Sequence, residues 1–282
     1  MTTSVWQTSR FSIDLTQPKV MAIVNLTPDS FSDGGRYASL KQSLEHAQKA
    51  LSHGADLLDI GGESSRPGAA AVSVQEELDR ILPFLKEAVH WNVPLSVDTL
   101  KPEVMRAVLD LGVDIINDIW ALRQPGALDA VAQHPSCGVC LMHMHREPLT
   151  MAEQPMEGDA VGQVKDFLSQ RLEACVTAGV HANRIVLDPG IGFGKTIPQN
   201  LSLLKQQSEI LRLGRPLLAG WSRKGSLGKL TAIQGVVPEA SERVGASVGA
   251  ALISVQNGAS LVRVHDVQET VQAIKFWQAT TI

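Results

Sequence analysis

Polar and charged residues stand at or just after the end of each of eight short apolar runs in the chain. They are Asn25; Asp59 and Glu63; Asp98; Asn117 and Asp118; His143; Asp188; Ser222, Arg223 and Lys224; and Arg263 and His265. Any one of them could simply mark the place where a strand stops. Eight such coincidences favour a shared site, provided that the runs end on the same side of one structure.

The residue types divide that site into two chemical halves. The carboxylates and amide of Asp98, Asn117 and Asp188 offer fixed acceptors and donors that suit the edge of a flat heterocycle. The cations suit an anionic group, because arginine presents a planar fork and lysine a point charge to phosphate. These cations are Lys224, Arg263 and His265, and Asn25 stands with them.

The eight apolar runs have the composition of strands that are covered on both faces. They are Val20–Val24, Leu57–Ile60, Leu95–Val97, Ile115–Ile116, Val139–Met142, Ile185–Leu187, Pro216–Ala219 and Leu261–Val264. Between them, apolar residues recur at helical spacing, as in Leu40, Leu44, Ala47 and Leu51. About 35 residues per run are enough for a strand, a helix and two loops. The alternation predicts an α/β fold, a closed (β/α)8 TIM barrel.

The remaining segments fit the two ends of such a barrel. Trp6–Leu15 alternates loosely, which predicts a small β-hairpin that plugs the N-terminal end, within an extension of residues 1–18. Thr27–Tyr37, Gly61–Val72 and His143–Asp159 lack periodicity and follow strands, so we expect loops on the functional face. No linker interrupts the pattern, which indicates a single domain over residues 1–282.

Composition disfavours several classes of protein. The 25 Lys and Arg residues against 29 Asp and Glu residues give a net charge of -4, without the basic excess that nucleic-acid binding demands. Residues 1–15 hold no apolar stretch of the kind that a leader contains, so we expect no targeting segment. The longest apolar stretch, Ala246–Val255, has about half of the roughly 20 residues of a membrane helix. Three cysteines are too few for a disulfide framework in 282 residues. We expect a soluble, cytoplasmic protein with neither nucleic acid nor membrane as a partner.

Short motifs that imitate other sites fail on inspection. Gly190–Thr196 ends in Gly-Lys-Thr, but Pro189 stands where a P-loop needs glycine, and Lys195 stands where a dinucleotide fingerprint needs its third glycine. We interpret the segment as a flexible loop whose glycines let the backbone approach a ligand. Ser222 lacks the second glycine of a nucleophile elbow, which disfavours a serine hydrolase.

Two cysteines, Cys137 and Cys140, precede two histidines at a spacing that resembles a zinc or redox site. If Val139–Met142 is a strand, alternate side chains face opposite ways and the four groups cannot converge. Buried thiols are therefore the favoured interpretation.

Seven segments of the chain resemble dihydropteroate synthase. They are Asn25–Gly35, Asp59–Gly68, Ser96–Thr99, Ile116–Asp118, Leu187–Lys195, Ser222–Lys224 and Arg263–Asp266. The resemblance extends from about Val20 to the end of the chain. It implies a TIM barrel, usually homodimeric, that joins 6-hydroxymethyl-7,8-dihydropterin diphosphate to p-aminobenzoate in folate biosynthesis. The products would be 7,8-dihydropteroate and diphosphate, and sulfonamides would be inhibitors.

The resemblance also implies a role for each site residue. Asp98, Asn117, Asp188 and Lys224 would hold the pterin, with Met142 and Phe193 packing near it. Asn25, Ser65, Arg263 and His265 would hold the diphosphate, and Asn25 would bind Mg²⁺ together with the phosphates. Loops carrying Asp33 and Ser64–Gly68 would close over the site and form the p-aminobenzoate pocket with Arg66 and Pro67, near Gly192 and Gly225.

Catalysis would follow from charge at the two ends of the breaking bond. Arg263, His265 and Mg²⁺ would stabilise the diphosphate, and Asp98 and Asp188 would help the pterin methylene as it becomes positive. Lys224 completes the catalytic set. Because an aromatic amine needs no strong base, the resemblance favours dissociative substitution.

The chain departs from the family pattern at three places. Ser65 replaces a common threonine and keeps the hydroxyl. Gly225 replaces a common serine after the Arg-Lys pair, which removes a hydroxyl that could meet the p-aminobenzoate carboxylate. His145 and Arg146 stand where Gln-Gly is usual, with no effect that the sequence assigns.

Two other functions stay open at this point. A pterin-dependent methyltransferase barrel shares the pterin-binding acids but should lack the combined phosphate cations. A catalytically silent pterin-binding paralogue would not need to retain groups that hold a leaving group.

Overall fold

An N-terminal hairpin precedes the barrel in the computed structural model, which describes residues 4–27, 35–64, 71–146, 151 and 154–281. It consists of β1 (Val5–Gln7) and β2 (Ser12–Asp14), which pair antiparallel. The hairpin predicted within Trp6–Leu15 is therefore confirmed.

Eight parallel strands form the barrel. They are β3 (Lys19–Asn25), β4 (Leu57–Gly61), β5 (Leu95–Asp98), β6 (Ile115–Asp118), β7 (Gly138–Met142), β8 (Ile185–Asp188), β9 (Leu218–Ala219) and β10 (Leu261–Val264). Strands β3 to β8 pair in chain order, and β10 lies between β3 and β9. A parallel bridge between Leu187 and Leu217 joins the two ends of the sheet. The predicted TIM barrel is confirmed, although β9 covers only part of the predicted Pro216–Ala219.

Helices connect the strands and pack on the outside of the barrel. They are α1 (Gly35–Ser52), α2 (Val74–Ala88), α3 (Pro102–Leu111), α4 (Ala127–Gln133), α5 (Ala160–Thr177), α6 (Ile197–Lys205), α7 (Gln207–Leu211), α8 (Gly225–Leu230), α9 (Val244–Gln256) and α10 (Val267–Thr281). Because α1 begins at Gly35, the end of the loop expected over Thr27–Tyr37 is helical, and residues 28–34 lie outside the described residues. No helix in the described ranges is long and apolar enough to cross a membrane.

The strands are buried on both faces, as their continuous apolar runs predict. Outside the barrel, strands and helices share one large apolar cluster. Inside it, Met21 and Leu57 pack with Trp6 and Ile13 of the hairpin. The Trp6 indole N–H donates to the carbonyl of Arg184 at 2.8 Å. The hairpin thus plugs the N-terminal end of the barrel.

The three cysteines are free and buried, as predicted. Burial raises the pKa of each thiol, that of Cys175 to about 11. Cys137 accepts a contact from the Arg184 guanidinium at 3.1 Å rather than joining a metal cluster. The thiols are therefore protonated and part of the core.

An ion pair ties the hairpin to the barrel. Arg10, between β1 and β2, donates from Nε and Nη2 to the buried carboxylate of Asp114 at 2.9 and 2.6 Å. The same guanidinium donates to the Val89 carbonyl at 2.6 Å, and Asp114 accepts from the Leu95 N–H at 2.9 Å. The pair therefore joins the hairpin to the beginnings of β5 and β6.

We predict that Arg10→Ala lowers the free energy of unfolding by about 2–3 kcal/mol, because Asp114 would keep a buried charge without its cation. The loss stays moderate because the Arg10 side chain is 32% exposed. Lys41→Ala is the matched control, since its pair with Glu45 spans 3.8 Å between largely exposed groups and should contribute less than about 0.5 kcal/mol. Urea denaturation measures both losses, and equal values would contradict the role given to Arg10.

Candidate active site

The strand register brings the predicted site residues to one end of the barrel. Asn25, at the end of β3, lies level with Gly61 of β4. Gly61 lies level with Asp98 of β5, which in turn pairs with Asn117 of β6. Parallel strands that end together present these side chains at the C-terminal mouth of the barrel, where barrel enzymes carry their sites.

Asp59 is the centre of a buried hydrogen-bond network in the mouth. Its Oδ1 accepts from the Ser96 hydroxyl at 2.6 Å. Its Oδ2 accepts from Asn117 Nδ2 at 3.1 Å and from Arg263 Nε at 2.6 Å. The sequence places Asp59 at the end of an apolar run and in a segment that resembles the family, but it assigns this residue no role. The network shows that it positions both an amide and a cation of the predicted site.

Arg263 lies between two carboxylates. Besides its bond to Asp59, its Nη2 donates to Asp98 Oδ2 at 2.9 Å. Burial opposes the guanidinium charge, but the carboxylates of Asp59 and Asp98 outweigh it and raise the pKa of Arg263, so the group stays cationic. Burial raises the pKa of Asp98 to about 7, although Arg263 opposes the rise. A permanent cation therefore lies beside a carboxyl group that titrates near neutrality.

Asp188 ends β8 and contacts the loop that follows. Its Oδ1 accepts from the Gly190 N–H at 2.7 Å, and its backbone carbonyl accepts from the His143 N–H at 2.9 Å. Burial raises the pKa of Asp188 to about 6, whereas the Gly190 N–H and the charges of Lys224 and Lys195 oppose the rise. Asp188 is therefore largely ionised at pH 7 and can accept hydrogen bonds.

The loop after β8 is built for close packing. Gly190, Gly192 and Gly194 have φ values of 67°, 82° and 68°, which favour glycine. A Cβ at Gly190 would lie 1.8 Å from the carbonyl oxygen of His143, and one at Gly194 would lie 2.7 Å from His145 Cβ. These glycines therefore serve a close contact with the segment after β7, and the flexibility of the loop stays a prediction.

An apolar wall lies beside the polar groups. Lys224 Nζ lies 4.0 Å from the centroid of the Phe193 ring, a cation–π contact. A Cβ at Gly192 would lie 3.3 Å from Lys224 Cδ, so the backbone itself approaches the site. Met142 and Phe193 belong to one buried apolar cluster with Ile119. Such side chains suit the flat faces of a planar ligand.

Ser222 orients His265 at the mouth. Ser222 Oγ lies 3.0 Å from His265 Nδ1 and accepts from the His265 backbone N–H at 3.1 Å. This pair was also missed from the sequence, which treated Ser222 only as a residue at a strand end. Arg223 instead pairs with Asp266 at 2.5 Å, just before α10.

The predicted loop residues divide between described and undescribed parts of the chain. Asp33, Ser65, Arg66 and Pro67 lie outside the described residues. Glu63 accepts from the Val72 N–H at 2.9 Å, across the segment that begins with Ser64. Lys101 bonds both Glu63 and the buried Glu77. These contacts fix the two described ends of the predicted p-aminobenzoate loop.

The departures from the family pattern have a simple geometry. Gly225 begins α8, and a Cβ built there meets nothing within 4 Å. Arg146, which replaces a common glycine, has a φ of 62°, the left-handed region in which glycine is unstrained. Arg146 therefore adopts a backbone conformation that glycine would adopt without strain.

The residues present fit a magnesium ion that is shared with a ligand. Within the described ranges, no three His, Cys, Asp or Glu side chains come together as a metal cluster. Asn25 offers one amide oxygen at the end of β3, beside Gly61 of β4. Mg²⁺ accepts one such ligand when waters and phosphate oxygens supply the others.

Comparison with known proteins agrees with this geometry. The family described as pterin binding enzyme matches residues 21–265. The dihydropteroate synthase of Neisseria meningitidis serogroup B is 48% identical, over 100% of this chain and 99% of that protein. The enzyme of Escherichia coli K12 is 46% identical, over 95% of this chain and 94% of that protein.

Solved structures give the same result. Xanthomonas albilineans dihydropteroate synthase with 4-aminobenzoic acid has a TM-score of 0.88 and 48% identity, and covers 95% of each chain. The Burkholderia cenocepacia enzyme complexed with 7,8-dihydropteroate has a TM-score of 0.88 and 44% identity, over 99% of this chain and 97% of that one. These relatives match nearly the whole chain and share its fold, so the comparisons identify one family. The chain belongs to the dihydropteroate synthase family of pterin-binding enzymes.

Proposed function

We propose that this chain joins 6-hydroxymethyl-7,8-dihydropterin diphosphate to p-aminobenzoate, giving 7,8-dihydropteroate and diphosphate in folate biosynthesis. The observation that carries the proposal is the contact of Arg263 with Asp59 and Asp98, because it sets a permanent cation beside the heterocycle-binding acids. Relatives solved with 4-aminobenzoic acid and with 7,8-dihydropteroate support the same substrates and product. A relative from Yersinia pestis solved with a sulfonamide supports sulfonamides as inhibitors.

The heterocycle half of the mouth would bind the pterin. Asp98, Asn117 and Asp188 offer acceptors and donors to its edge. Asn117 is oriented by its bond to Asp59, and Asp188 by the Gly190 N–H. The apolar wall of Met142 and Phe193, with Lys224 above the ring of Phe193, would cover the pterin faces.

The cationic half would bind the diphosphate. Arg263 is oriented by its hydrogen bonds to two carboxylates, and its remaining N–H groups would bind the diphosphate. His265 is oriented by Ser222 and would donate a second hydrogen bond. Asn25 joins them from the end of β3, and Ser65 is assigned here by the family pattern.

The reaction breaks the bond between the pterin methylene carbon and the bridging oxygen, and the diphosphate keeps the electron pair. Arg263 and His265 would stabilise that developing negative charge, while ionised Asp188 and the Asp98 carboxyl would stabilise the methylene carbon as it becomes positive. The amine nitrogen of p-aminobenzoate then forms the new bond and loses one proton. We favour departure of the diphosphate before attack, because the amine is weakly basic.

We also propose that Asn25 holds Mg²⁺ with the diphosphate oxygens, which would neutralise part of the leaving-group charge.

A homodimer is a further proposal: six of the eight large apolar side chains that are exposed in the described ranges lie between residues 230 and 276. These side chains lie on or between α8, α9 and α10, and α8 and α10 both contact α9, so the residues belong to neighbouring elements, as is expected of an interface between subunits. The buried, reduced thiols favour a cytoplasmic location.

Neither competing function gains support from the site. The cations Lys224, Arg263 and His265 all lie at the mouth, and their combination is not expected of a pterin-dependent methyltransferase. A silent paralogue would not require the rigid placement of Arg263.

A mixture of the purified chain, Mg²⁺ and the dihydropterin diphosphate, with and without p-aminobenzoate, tests the proposed reaction. We expect dihydropteroate and diphosphate in equal amounts when the amine is present, and loss of turnover when EDTA removes the metal. Pterin binding without product would favour the silent paralogue, and absence of binding would overturn the assignment. Diphosphate release that strictly requires p-aminobenzoate would contradict the dissociative order.

We predict that Asp59→Asn lowers kcat/KM for the dihydropterin diphosphate by about 10- to 100-fold, because Arg263 and Asn117 would lose the carboxylate that orients them. Asp56→Asn makes the same change at the other end of β4, where Asp56 lies 3.3 Å from Lys19, and should change kcat/KM by less than about twofold. Steady-state kinetics compares the two. Equal effects would show that Asp59 matters only for the fold.

We predict that Gly225→Ser tightens the binding of p-aminobenzoate and of sulfonamides by about 2- to 10-fold, through one added hydrogen bond. The open space around Gly225 accepts a serine side chain without displacement of neighbours. Gly245→Ser in α9, also with nothing within 4 Å, is the matched control. Titration calorimetry gives the constants, and values that stay the same in both variants would contradict the prediction.

A further inference from the structure

Lys195 is a buried cation with an unusual set of partners. Only 8% of it is exposed. Its Nζ donates to the backbone carbonyls of Gly190 at 2.8 Å, Phe193 at 3.1 Å and His143 at 3.3 Å. It forms no ion pair with a carboxylate in the described part of the chain. Burial of an ammonium group among carbonyls is costly, so its retention calls for a local reason.

The three carbonyls belong to the two segments that line the pterin half of the mouth. Gly190 is held at both of its backbone groups, because its N–H donates to Asp188 Oδ1 and its carbonyl accepts from Lys195. The His143 N–H donates to the Asp188 backbone, and the Phe193 ring lies against Lys224. Lys195 therefore links the loop that carries Asp188 and Phe193 to the segment after β7.

We propose that Lys195 is a positioning residue for the pterin site. Its ammonium group joins the segments after β7 and β8, and its positive charge favours the ionised form of Asp188. The proposal rests on the proposed function, since it assumes that Asp188 and Phe193 bind a pterin. Lys195 itself would contact neither the pterin nor the diphosphate, and it would act through the residues that do.

The electrostatic part of the role concerns the charge of Asp188. Burial lowers the pKa of Lys195 to about 7, and burial raises that of Asp188 to about 6. Because the pKa of Lys195 lies above that of Asp188, most of the lysine is charged at the midpoint of the Asp188 titration. Lys224 and Arg263 are the other cations that act on Asp188. Of the remaining neighbours, Cys140 on β7 is a protonated thiol, and His143 is neutral because burial lowers its pKa to about 2.

The direction of the pH effect follows from these charges. Protonation removes an acceptor from Asp188, so pterin affinity should fall as the pH falls through the pKa of that carboxyl. Without the Lys195 charge, that pKa rises further, and the loss of affinity begins at a higher pH. A lysine that served only the packing of the loop would not move this midpoint.

Binding of 6-hydroxymethyl-7,8-dihydropterin, which has no leaving group, is measured by calorimetry from pH 5 to 8 for three variants and the wild-type chain. Lys195→Gln keeps a hydrogen-bond donor and removes the charge, and Lys195→Arg keeps the charge. Lys165→Gln is the control, because Lys165 pairs with Glu209 at 3.3 Å between α5 and α7, away from the mouth.

We expect Lys195→Gln to move the midpoint of the acid limb up by about half a pH unit or more and to weaken binding at pH 7 by at least about threefold. Lys195→Arg should restore the midpoint, Lys165→Gln should match the wild type, and KM for p-aminobenzoate should stay within about twofold. An unchanged midpoint in Lys195→Gln, or a Lys195→Gln chain that cannot fold, would overturn the proposal. A wild-type chain that binds no pterin would instead overturn the proposed function, and this inference with it.

Discussion

The attraction between the Arg263 guanidinium and the carboxylates of Asp59 and Asp98 is the interaction on which the mouth of the barrel depends. Asp59 and Asp98 come from neighbouring strands, β4 and β5, and two buried carboxylates at that spacing would repel each other without a cation. Removal of one partner from such a buried set leaves an uncompensated charge, which is far more costly than the net gain of the intact set. The same contacts also hold Asn117 and Arg263 in place, so stability and ligand binding share one network.

The two ends of the barrel use different physics. At the N-terminal end, the hairpin seals the interior with apolar contacts around Trp6. Its ion pair there, Arg10 with Asp114, is supported by further hydrogen bonds to the backbone. At the C-terminal end, burial raises the pKa values of Asp98 and Asp188 toward neutrality and lowers the pKa of Lys195 toward the same range. Groups with perturbed pKa values thus concentrate where a ligand would supply the missing partners, which is a general mark of functional sites.

Much of the fold and half of the site could be predicted from the sequence. The eight strands follow from short Val/Ile/Leu runs, because burial on both faces leaves that simple pattern, and strand ends such as Asn25, Asp98 and Asp188 converge in any parallel barrel. Strand β9 was overestimated, since Pro216 has an apolar side chain but no N–H for the ladder. Asp59 and Ser222 received no role, because their importance lies in contacts with residues tens to hundreds of positions away. Lys195 received none because its hydrogen bond to His143 joins two loops that are separate in the sequence. The close contact between the glycines after β8 and the segment after β7 was not predicted, because a local pattern cannot show which backbone lies against them.

The position of β10 has a consequence for the order in which the protein can mature on the ribosome. This strand pairs with both β3 and β9, so it closes the barrel, and it also delivers Arg263 across 204 residues of sequence to Asp59. A nascent chain that lacks β10 contains Asp59 and Asp98 on β4 and β5 but not Arg263, the cation that neutralises them. In its sheet, the edge of β3 that pairs with β10 is left unpaired. Closure of the barrel and neutralisation of the mouth are thus a single late event, after most of the chain has been synthesised. Partially synthesised chains of this protein should therefore depend on shielding of that open edge until the last strand emerges.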